Sequence, residues 1–245
     1  MSRSHEGRVA VVTGAARGIG RAICEKLSER GARLVLVDRE DSSDTAGALV
    51  GESVCLAADV ASDHDWARIA ARTMEAFGRA DIVVNNAGIF PMASIDQLTI
   101  ELWRSVFAVN LEAHFFSAKH FVPLMRANRY GRFVNISSNS VGAPTRGLSH
   151  YMASKMGVIG FVRGLANDVA DDGITVNAVM PAFTDTPGTA FAPEEIRQRT
   201  ILVQAIKRVA VPNDIAGPVV FLTSDDAAFV TGQAIVADGG MYKIS

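Results

Sequence analysis

The sequence has little of what several classes of protein require. Its two cysteines, Cys24 in a predicted helix and Cys55 in a predicted strand, are too few for a disulfide framework or a metal site. We expect both thiols to be buried as small apolar side chains. No apolar run reaches the roughly 18 residues that a membrane span needs, and the N-terminal residues lack the apolar core of a secretory signal. We therefore expect a cytoplasmic protein with no membrane partner.

Neither sign of charge is in excess. The formal net charge is -2 at pH 7, which gives no global electrostatic reason to bind nucleic acid. None of the five histidines has a spacing that suggests a pair of metal ligands. His114 and His120 fall on a long predicted helix, where we expect them to pack at the surface or in an interface. The sequence therefore favours a small-molecule partner, with no nucleic acid and no metal.

Seven short apolar runs alternate with segments of helical spacing. The runs are residues 9–12, 34–37, 54–57, 82–84, 133–136, 175–179 and 234–236. Continuous apolar character is typical of strands covered on both faces. The sequence thus predicts an α/β, doubly wound Rossmann fold, in which helices flank both faces of a seven-stranded, mostly parallel sheet. No repeat or linker divides it, so we expect residues 1–245 to form a single domain, with a lid loop at about residues 181–205.

A glycine-rich turn follows the first run and precedes a predicted helix at residues 21–30. Gly14 permits the tight turn, Gly18 lets the backbone approach a diphosphate, and Gly20 lets the helix pack close to the sheet. The helix N-terminus then offers unpaired N–H groups to the anion. Such turns also occur as plain connections, but the strand, turn and helix context favours a dinucleotide site.

Asp38 ends the second run, about twenty residues past the glycines, where a carboxylate can bind both adenosine ribose hydroxyls. It would repel a 2′-phosphate, whereas Arg17 or Arg39 could reach one. We favour NAD over NADP. Asp59-Val60 resembles an adenine contact, although Asp59 could instead cap the following helix.

Tyr151 and Lys155 lie four apart in a predicted helix at residues 150–170 and so share one face. A lysine ammonium near a phenol favours the phenolate, and lowering a tyrosine pKa from about 10 toward 7 takes roughly 4 kcal/mol. Tyr151 would then be a usable acid or base near neutral pH. Taken alone, such a pair is more often an ordinary surface contact.

Several motifs, in order and spacing, resemble those of the short-chain dehydrogenase/reductase family across nearly the whole chain. They are Thr13-Gly14, Gly18-Ile19-Gly20, Asn85-Asn86-Ala87-Gly88, Asn110, Ser138, Tyr151 with Lys155, Asn177 with Pro181, Thr231-Gly232-Gln233 and Asp238-Gly239-Gly240. This resemblance implies an NAD(P)-dependent oxidoreductase that acts on CH–OH groups. A catalytically idle dinucleotide sensor is the alternative, and the intact set of Ser138, Tyr151 and Lys155 argues against it.

The resemblance also implies a role for each catalytic residue. Tyr151 would exchange a proton with the substrate oxygen, and Ser138, rather than its neighbour Ser137, would hydrogen-bond that oxygen. Lys155 would hold the nicotinamide ribose and depress the pKa of Tyr151. Asn110 would interrupt a helix and place a water that links Lys155 to solvent. The implied cofactor contacts are Gly14, Arg17, Gly18, Ile19, Gly20, Asp38, Asp59, Val60, Asn86, Ala87, Gly88, Tyr151, Lys155, Pro181, Thr184 and Thr186.

Two residues depart from the family pattern. Ala182 stands where a glycine usually follows Pro181, and Thr184 stands where isoleucine or valine usually contacts the carboxamide. We expect cofactor binding to survive, with a changed path of the loop backbone.

The candidate substrate pocket is apolar and partly aromatic. Its expected lining is Phe90, Ser138, Asn139, Ser140, Phe183, Phe191 and Tyr242. The chain looks most like family members that act on aromatic or cyclic secondary alcohols with NAD.

The alternative is a 3-oxoacyl-(acyl-carrier-protein) reductase or another NADPH-dependent carbonyl reductase. The three aspartates in residues 168–172 count against docking of an acidic carrier. Members of the family are usually homotetramers that pair the helices predicted here at residues 101–128 and 150–170, so we expect a homotetramer.

Overall fold

A computed structural model describes residues 4–243 of the chain. Its strands form one sheet in the order β3-β2-β1-β4-β5-β6-β7, and every neighbouring pair is parallel. The strands are β1 Val9–Thr13, β2 Arg33–Asp38, β3 Ser53–Ala57, β4 Ile82–Asn85, β5 Gly131–Ile136, β6 Ile174–Pro181 and β7 Ala234–Ala237. The predicted doubly wound fold is confirmed.

Helices cover both faces of the sheet. They are α1 Gly18–Glu29, α2 Ser43–Gly47, α3 Asp63–Phe77, α4 Ile100–Phe107, α5 Ala113–Asn128, α6 Ser149–Asp168, α7 Glu194–Val203 and α8 Pro212–Thr223. Helices α3, α5 and α6 bury one face, where the Trp66 and Phe121 rings meet edge to face at 6.1 Å, and α1 and α8 bury the other. Within residues 4–243, no helix combines the length and apolar character that crossing a membrane would require.

The predicted helix at residues 101–128 is divided in the structure. A π-helical turn, Ala108–Glu112, separates α4 from α5. Inside this turn the Asn110 side chain accepts a hydrogen bond from Ile89 N at 2.9 Å and donates one to Ile89 O at 2.8 Å. Because a π turn inserts an extra residue into the helix, it can aim one side chain at a site, here toward the carboxyl end of β4.

The predicted lid is more regular than expected from its sequence. Residues 194–203, inside the predicted loop at about 181–205, form α7, and a short 3-10 turn spans Pro187–Thr189. Glu194 and Glu195 in the first turn of α7 favour helix formation there because they complement the helix dipole.

Two expectations about single side chains were wrong. Cys55 is exposed, because β3 is an edge strand with weak cover, whereas Cys24 is buried in α1 as expected. His114 lies in the interior and not at a surface, since the start of α5 packs on the sheet, while His120 is half-buried and bonded to Asp63.

The order of strands reverses between β1 and β4. In parallel sheets of this kind the loops leave a crevice beyond the carboxyl ends of the strands at such a reversal. The glycine-rich turn after β1 and residues 86–88 after β4 both open onto this crevice.

Candidate active site

The turn after β1 depends on its glycines. Gly14 and Gly18 have φ of 66° and 61°, the left-handed region that favours glycine. A Cβ at Gly20 would lie 1.9 Å from Gly14 O, so no side chain fits there. The Asn86 amide donates to Thr13 O at 2.9 Å and to Gly14 O at 3.2 Å, which ties the turn to the end of β4.

A groove of about 670 Å³ runs along these ends of the strands. It is lined by Gly14, Arg17, Asp38, Arg39, Glu40, Asp59, Val60, Asn86, Ala87, Gly88 and Phe90, among others. Asp38 accepts hydrogen bonds from Ala16 N at 2.9 Å and Glu40 N at 3.1 Å. Arg17 pairs with Glu40 at 2.9 Å. Two carboxylates, Asp38 and Glu40, therefore lie where the sequence suggested an adenosine ribose. Arg17, one of the two arginines that could bind a 2′-phosphate, is paired with Glu40.

Asp59 does not cap α3. Ser62 is the N-cap, and its hydroxyl accepts from Asp65 N at 3.2 Å. Asp59 accepts from Ala61 N at 2.9 Å within its own loop and lines the groove beside Val60. Asp59 and Val60 therefore both border the groove, where an adenine ring could contact them.

The structure brings Tyr151, Lys155 and Ser138 together beyond β5. Ser138 accepts from Ser140 N at 3.2 Å, and its hydroxyl is close enough to the Tyr151 hydroxyl to act on the pKa of that phenol. Ser137 points elsewhere, because its hydroxyl donates to Lys155 O at 2.8 Å. Lys155 Nζ donates to Ile136 O at 2.7 Å and lies 5.8 Å from the centre of the Tyr151 ring.

The expected lowering of the Tyr151 pKa is not found in this structure. Removal from water raises the pKa of Tyr151 above its usual value, and the hydrogen bond with Ser138 opposes that rise only in part. Burial also lowers the pKa of Lys155 to about 8, so the ammonium charge that would favour a phenolate is itself weakly held. Tyr151 is therefore a phenol at neutral pH in this arrangement, the form that can give a proton.

Gly88 allows Lys155 and Asn110 to approach the groove. A Cβ at Gly88 would lie 3.3 Å from Asn110 Oδ1 and 3.4 Å from Lys155 Nζ. The backbone after β4 thus passes directly over the lysine, which is the position expected of a segment that lies beneath a bound ribose.

A second cavity, of about 370 Å³, opens beside Tyr151. The expected lining residues Phe90, Ser138, Asn139, Ser140, Phe183 and Phe191 all border it. Phe90 borders both this cavity and the groove, meets Tyr151 edge to face with ring centres 6.2 Å apart, and stacks on Phe191 at 6.4 Å. Phe90 therefore forms the wall between the two spaces.

Sequence reasoning erred at the carboxyl end of this cavity. Tyr242 does not border it; its ring packs over Gly142, and Met241 borders it instead. Asp238 causes this arrangement, since its carboxylate accepts from Tyr242 N at 2.7 Å and from the Asn139 amide at 3.2 Å. The buried turn after β7 was recognisable in the sequence, but which of its side chains turned inward was not.

Other missed lining residues come mostly from loops and from α7. They include Met92, Ala143, Thr145, Leu148, Ala192, Pro193, Ile196 and Thr200. These positions have no motif or spacing that would identify them, because their approach depends on how α7 folds over the cavity.

The segment after β6 closes the site from above. Thr184 donates to Ala182 O at 2.9 Å and forms a bridge to Ala210, so the hydroxyl is used within the loop. The Thr186 side chain faces Gly18, where an added Cβ would come within 3.4 Å of it. Pro181, Thr184 and Thr186 border the cavity beside Tyr151. The loop is thus anchored despite its two departures from the family pattern.

This site fits a dinucleotide. Gly18 starts α1 and brings the N-terminus of that helix to the groove, where unpaired N–H groups attract a diphosphate. The carboxylates of Asp38 and Glu40 line the groove, and Lys155 lies in the adjoining cavity with its Nζ near Gly88, which borders both spaces. These two positions match the two riboses of a dinucleotide. In the part of the chain that the structure describes, no cluster of three or more histidine, cysteine, aspartate or glutamate side chains could hold a metal.

Known proteins resemble this chain over almost its whole length. A family model described as enoyl-(acyl carrier protein) reductase matches residues 14–242. A 3-oxoacyl-(acyl-carrier-protein) reductase, FabG, of Vibrio cholerae is 36% identical over 241 residues, covering 98% of this chain and 99% of the relative. A cis-4-hydroxycyclohexanecarboxylate dehydrogenase of Sinomonas cyclohexanicum is 38% identical over 249 residues, covering 100% of both. A solved structure from Sinorhizobium meliloti 1021, whose description assigns it to the short-chain alcohol dehydrogenases, superposes with a TM-score of 0.92 at 34% identity and 96% coverage of each chain.

The contact between Gly20 and Gly14 yields a test. Gly20→Ala places a methyl group against a carbonyl oxygen, so we expect it to lower the melting temperature or to weaken NAD binding by about tenfold or more, roughly 1.4 kcal/mol. Gly47→Ala in α2 is the matched control, since nothing lies within 4 Å of its added Cβ. Calorimetry and NAD titration measure both variants. Wild-type stability and affinity in Gly20→Ala would contradict the close packing described here.

Proposed function

Because the chain belongs to the short-chain dehydrogenase/reductase family, we propose that it interconverts a neutral aryl or cyclic secondary alcohol and its ketone with NAD(H). The observation that carries this proposal is that Tyr151, Ser138 and Lys155 lie together on the wall of the aromatic cavity, next to the groove. The chain is an oxidoreductase that acts on CH–OH groups; substrate and cofactor preference are the proposed part.

We assign the proton transfer to Tyr151. Ser138 hydrogen-bonds the substrate oxygen, and Tyr151 gives it a proton in reduction or takes one in oxidation. When bound, the nicotinamide cofactor supplies or accepts the hydride at the carbinol carbon. Lys155 holds the nicotinamide ribose and favours the tyrosinate through its charge, while Asn110 maintains the turn that faces Lys155. All the side chains to which this assignment gives a part in the proton transfer belong to the described residues.

The composition of the cavity supports a neutral substrate. Among the lining residues that the structure describes, Lys155 is the only one with a charged side chain, and it faces the cofactor groove as well. Phe90, Phe183 and Phe191 offer flat apolar surface, which is worth about 25 cal/mol per Å² buried. A carboxylate on the ring, as in the substrate named for the Sinomonas relative, would find no cation on the far wall.

The carrier-protein reductase is the second candidate, because the Vibrio relative carries that name. The aspartates of residues 168–172 do not bear on it, contrary to our expectation from the sequence. They precede β6 and thus lie at the amino-terminal ends of the strands, whereas the cavity lies at the carboxyl ends. Asp172 is also paired with Arg126 at 2.6 Å. In α7, whose Ile196 and Thr200 border the cavity, Arg197 is bound to Asp185 at 2.9 Å, so this cation is already paired and offers less to an acidic carrier.

The outer faces of α5 and α6 support a homotetramer. Phe115 and Met156 are 53% and 51% exposed, and added Cβ atoms at Gly160 and Gly164 would meet nothing within 4 Å. Apolar side chains beside bare glycines let helices of two subunits pack closely. We propose that these faces pair subunits, and that the protein acts in the cytoplasm.

Tyr151→Phe tests the assignment of the proton. It removes the hydroxyl and keeps the ring, so kcat should fall by at least about 10²-fold, the lower range for an acid or base, while the Kd for NAD changes only a few fold. Tyr130→Phe is the control, since that hydroxyl donates to Thr223 O far from the site. Near-normal turnover in a folded Tyr151→Phe variant would remove Tyr151 from the mechanism.

Cofactor preference depends on the carboxylates of Asp38 and Glu40. We expect kcat/KM to favour NAD(H) over NADP(H) by about tenfold or more, or about 1.4 kcal/mol, because both charges repel a 2′-phosphate. Asp38→Asn keeps an oxygen acceptor, removes the charge and should narrow the gap, whereas Asp41→Asn, on an exposed carboxylate bound locally to Ser43, should not. A wild-type preference for NADP(H) would refute the assignment.

The two candidate functions differ in what a carrier protein adds. We expect higher kcat/KM for aryl and cyclic secondary alcohols than for 3-oxoacyl thioesters, with no gain when the acyl chain is on acyl carrier protein instead of a short thiol. The reason is that the binding energy comes from burying the ring of the substrate. Greater efficiency on the carrier-linked substrate than on every alcohol tested would establish the second candidate instead.

A further inference from the structure

His114 is a buried histidine that the mechanism above does not use. It lies one helical turn after Asn110, at the start of α5, and is 1% exposed. Its Nδ1 lies 2.9 Å from Asn135 Oδ1. Asn135 Nδ2 donates to Asn177 O at 3.1 Å, which fixes the orientation of the amide and leaves Oδ1 as a pure acceptor. Nδ1 of His114 must therefore carry the hydrogen, and Nε2 must be the acceptor.

Nε2 of His114 has no hydrogen-bond partner among the residues that the structure describes, and neither does Asn85 Oδ1. The Asn85 amide is also fixed, since its Nδ2 donates to Asn135 Oδ1 at 2.9 Å and to Ser117 Oγ at 2.8 Å. The side chains of His114 and Asn85 both hydrogen-bond Asn135 Oδ1, and each has one acceptor atom, Nε2 or Oδ1, without a donor among the described residues. A buried acceptor without a donor is unfavourable, and the usual remedy is a buried water.

Lys155 is the charged group that acts on this histidine. Its ammonium, reaching in from α6, is one cause of the lowered pKa of His114, after burial. The groups that meet His114 from β5, Asn135, and from its own helix, Ser117, are uncharged, as is the nearby Asn85 of β4. One N–H of Lys155 donates to Ile136 O, the residue that follows Asn135 in β5, and two N–H groups remain.

We propose that a buried water links the Lys155 ammonium to His114, accepting from Nζ and donating to Nε2 and to Asn85 Oδ1, and that His114 is thereby a positioning residue which keeps Lys155 charged. The neutral imidazole suits this role. Burial and the nearby ammonium hold the pKa of His114 at about 3, so it stays an acceptor at working pH and adds no positive charge beside Lys155.

The water between His114 and Lys155 would help to keep Lys155 charged. Burial lowers the pKa of Lys155 to about 8, and an acceptor held at the ammonium raises it again. A firmer positive charge in turn favours the tyrosinate of Tyr151. Without the acceptor at His114, Lys155 loses its charge at a lower pH. The pKa of Tyr151 then rises, and alcohol oxidation requires a higher pH.

The kinetic test rests on the proposed function and measures kcat for oxidation of a secondary alcohol against pH. We expect His114→Leu to raise the pH of half-maximal kcat by about 1 unit, the size of one hydrogen bond to a charged group. His114→Gln restores an acceptor and should bring the profile back toward the wild type. Ser117→Ala is the matched control, because it breaks hydrogen bonds in the same network and leaves Nε2 in place.

A purely structural role would lower the melting temperature in His114→Leu and Ser117→Ala alike and leave both pH profiles unmoved. That result, or an equal shift in Ser117→Ala, would overturn the proposal.

A high-resolution crystal structure of the full chain tests the water without any turnover, and so separates this proposal from the proposed function. We expect an ordered water within hydrogen-bonding distance of His114 Nε2 and Lys155 Nζ in the wild type, lost in His114→Leu. Carbon atoms alone around Nε2 would overturn the proposal even if the protein oxidises alcohols. An ordered water there would support it even if no alcohol tested is oxidised.

Discussion

The site depends on keeping one ammonium charge inside the protein. Lys155 is 3% exposed, and burial of a lysine disfavours its charged form. Ile136 O offsets part of that cost by accepting a hydrogen bond from Lys155 Nζ. Ser137 donates to Lys155 O and so ties the α6 backbone to the end of β5, and Gly88, which has no side chain, leaves room for the ammonium. Each of these contacts comes from the carboxyl end of a neighbouring parallel strand or the loop after it.

The buried ammonium lies beside the phenol at the wall of the aromatic cavity. Lys155 Nζ is 5.8 Å from the centre of the Tyr151 ring, and both residues border this cavity together with Ser138. Burial raises the pKa of the Tyr151 phenol, so the proposed proton transfer would need a firmly charged Lys155 to favour the ionised form. Phe90, which borders the cavity, meets the Tyr151 ring edge to face, so the residue that shapes the space for a substrate lies directly against the phenol.

Much of this arrangement could be predicted from the sequence, for physical reasons. Buried parallel strands need continuous apolar runs, and the close contact of Gly20 with Gly14 O admits no side chain at Gly20, so both leave clear signals. Tyr151 and Lys155 were identifiable because helical spacing places them on one face. Cys55, His114 and Tyr242 were misjudged because their environments are set by an edge strand, an interior asparagine and the Asp238 turn, and these contacts join segments distant in sequence. The shift of the Tyr151 pKa had the wrong sign because the sequence reveals a charge but not its burial.

The central claim is that these residues make an NAD-dependent dehydrogenase of neutral secondary alcohols. The most direct measurement is the absorbance of reduced nicotinamide while the protein is mixed with NAD or NADP and a panel of aryl, cyclic and straight-chain secondary alcohols. The account predicts that NAD is reduced fastest with an uncharged aryl or cyclic alcohol, and that the signal is lost in Tyr151→Phe. No cofactor reduction with any alcohol, or turnover that persists in that variant, would contradict it.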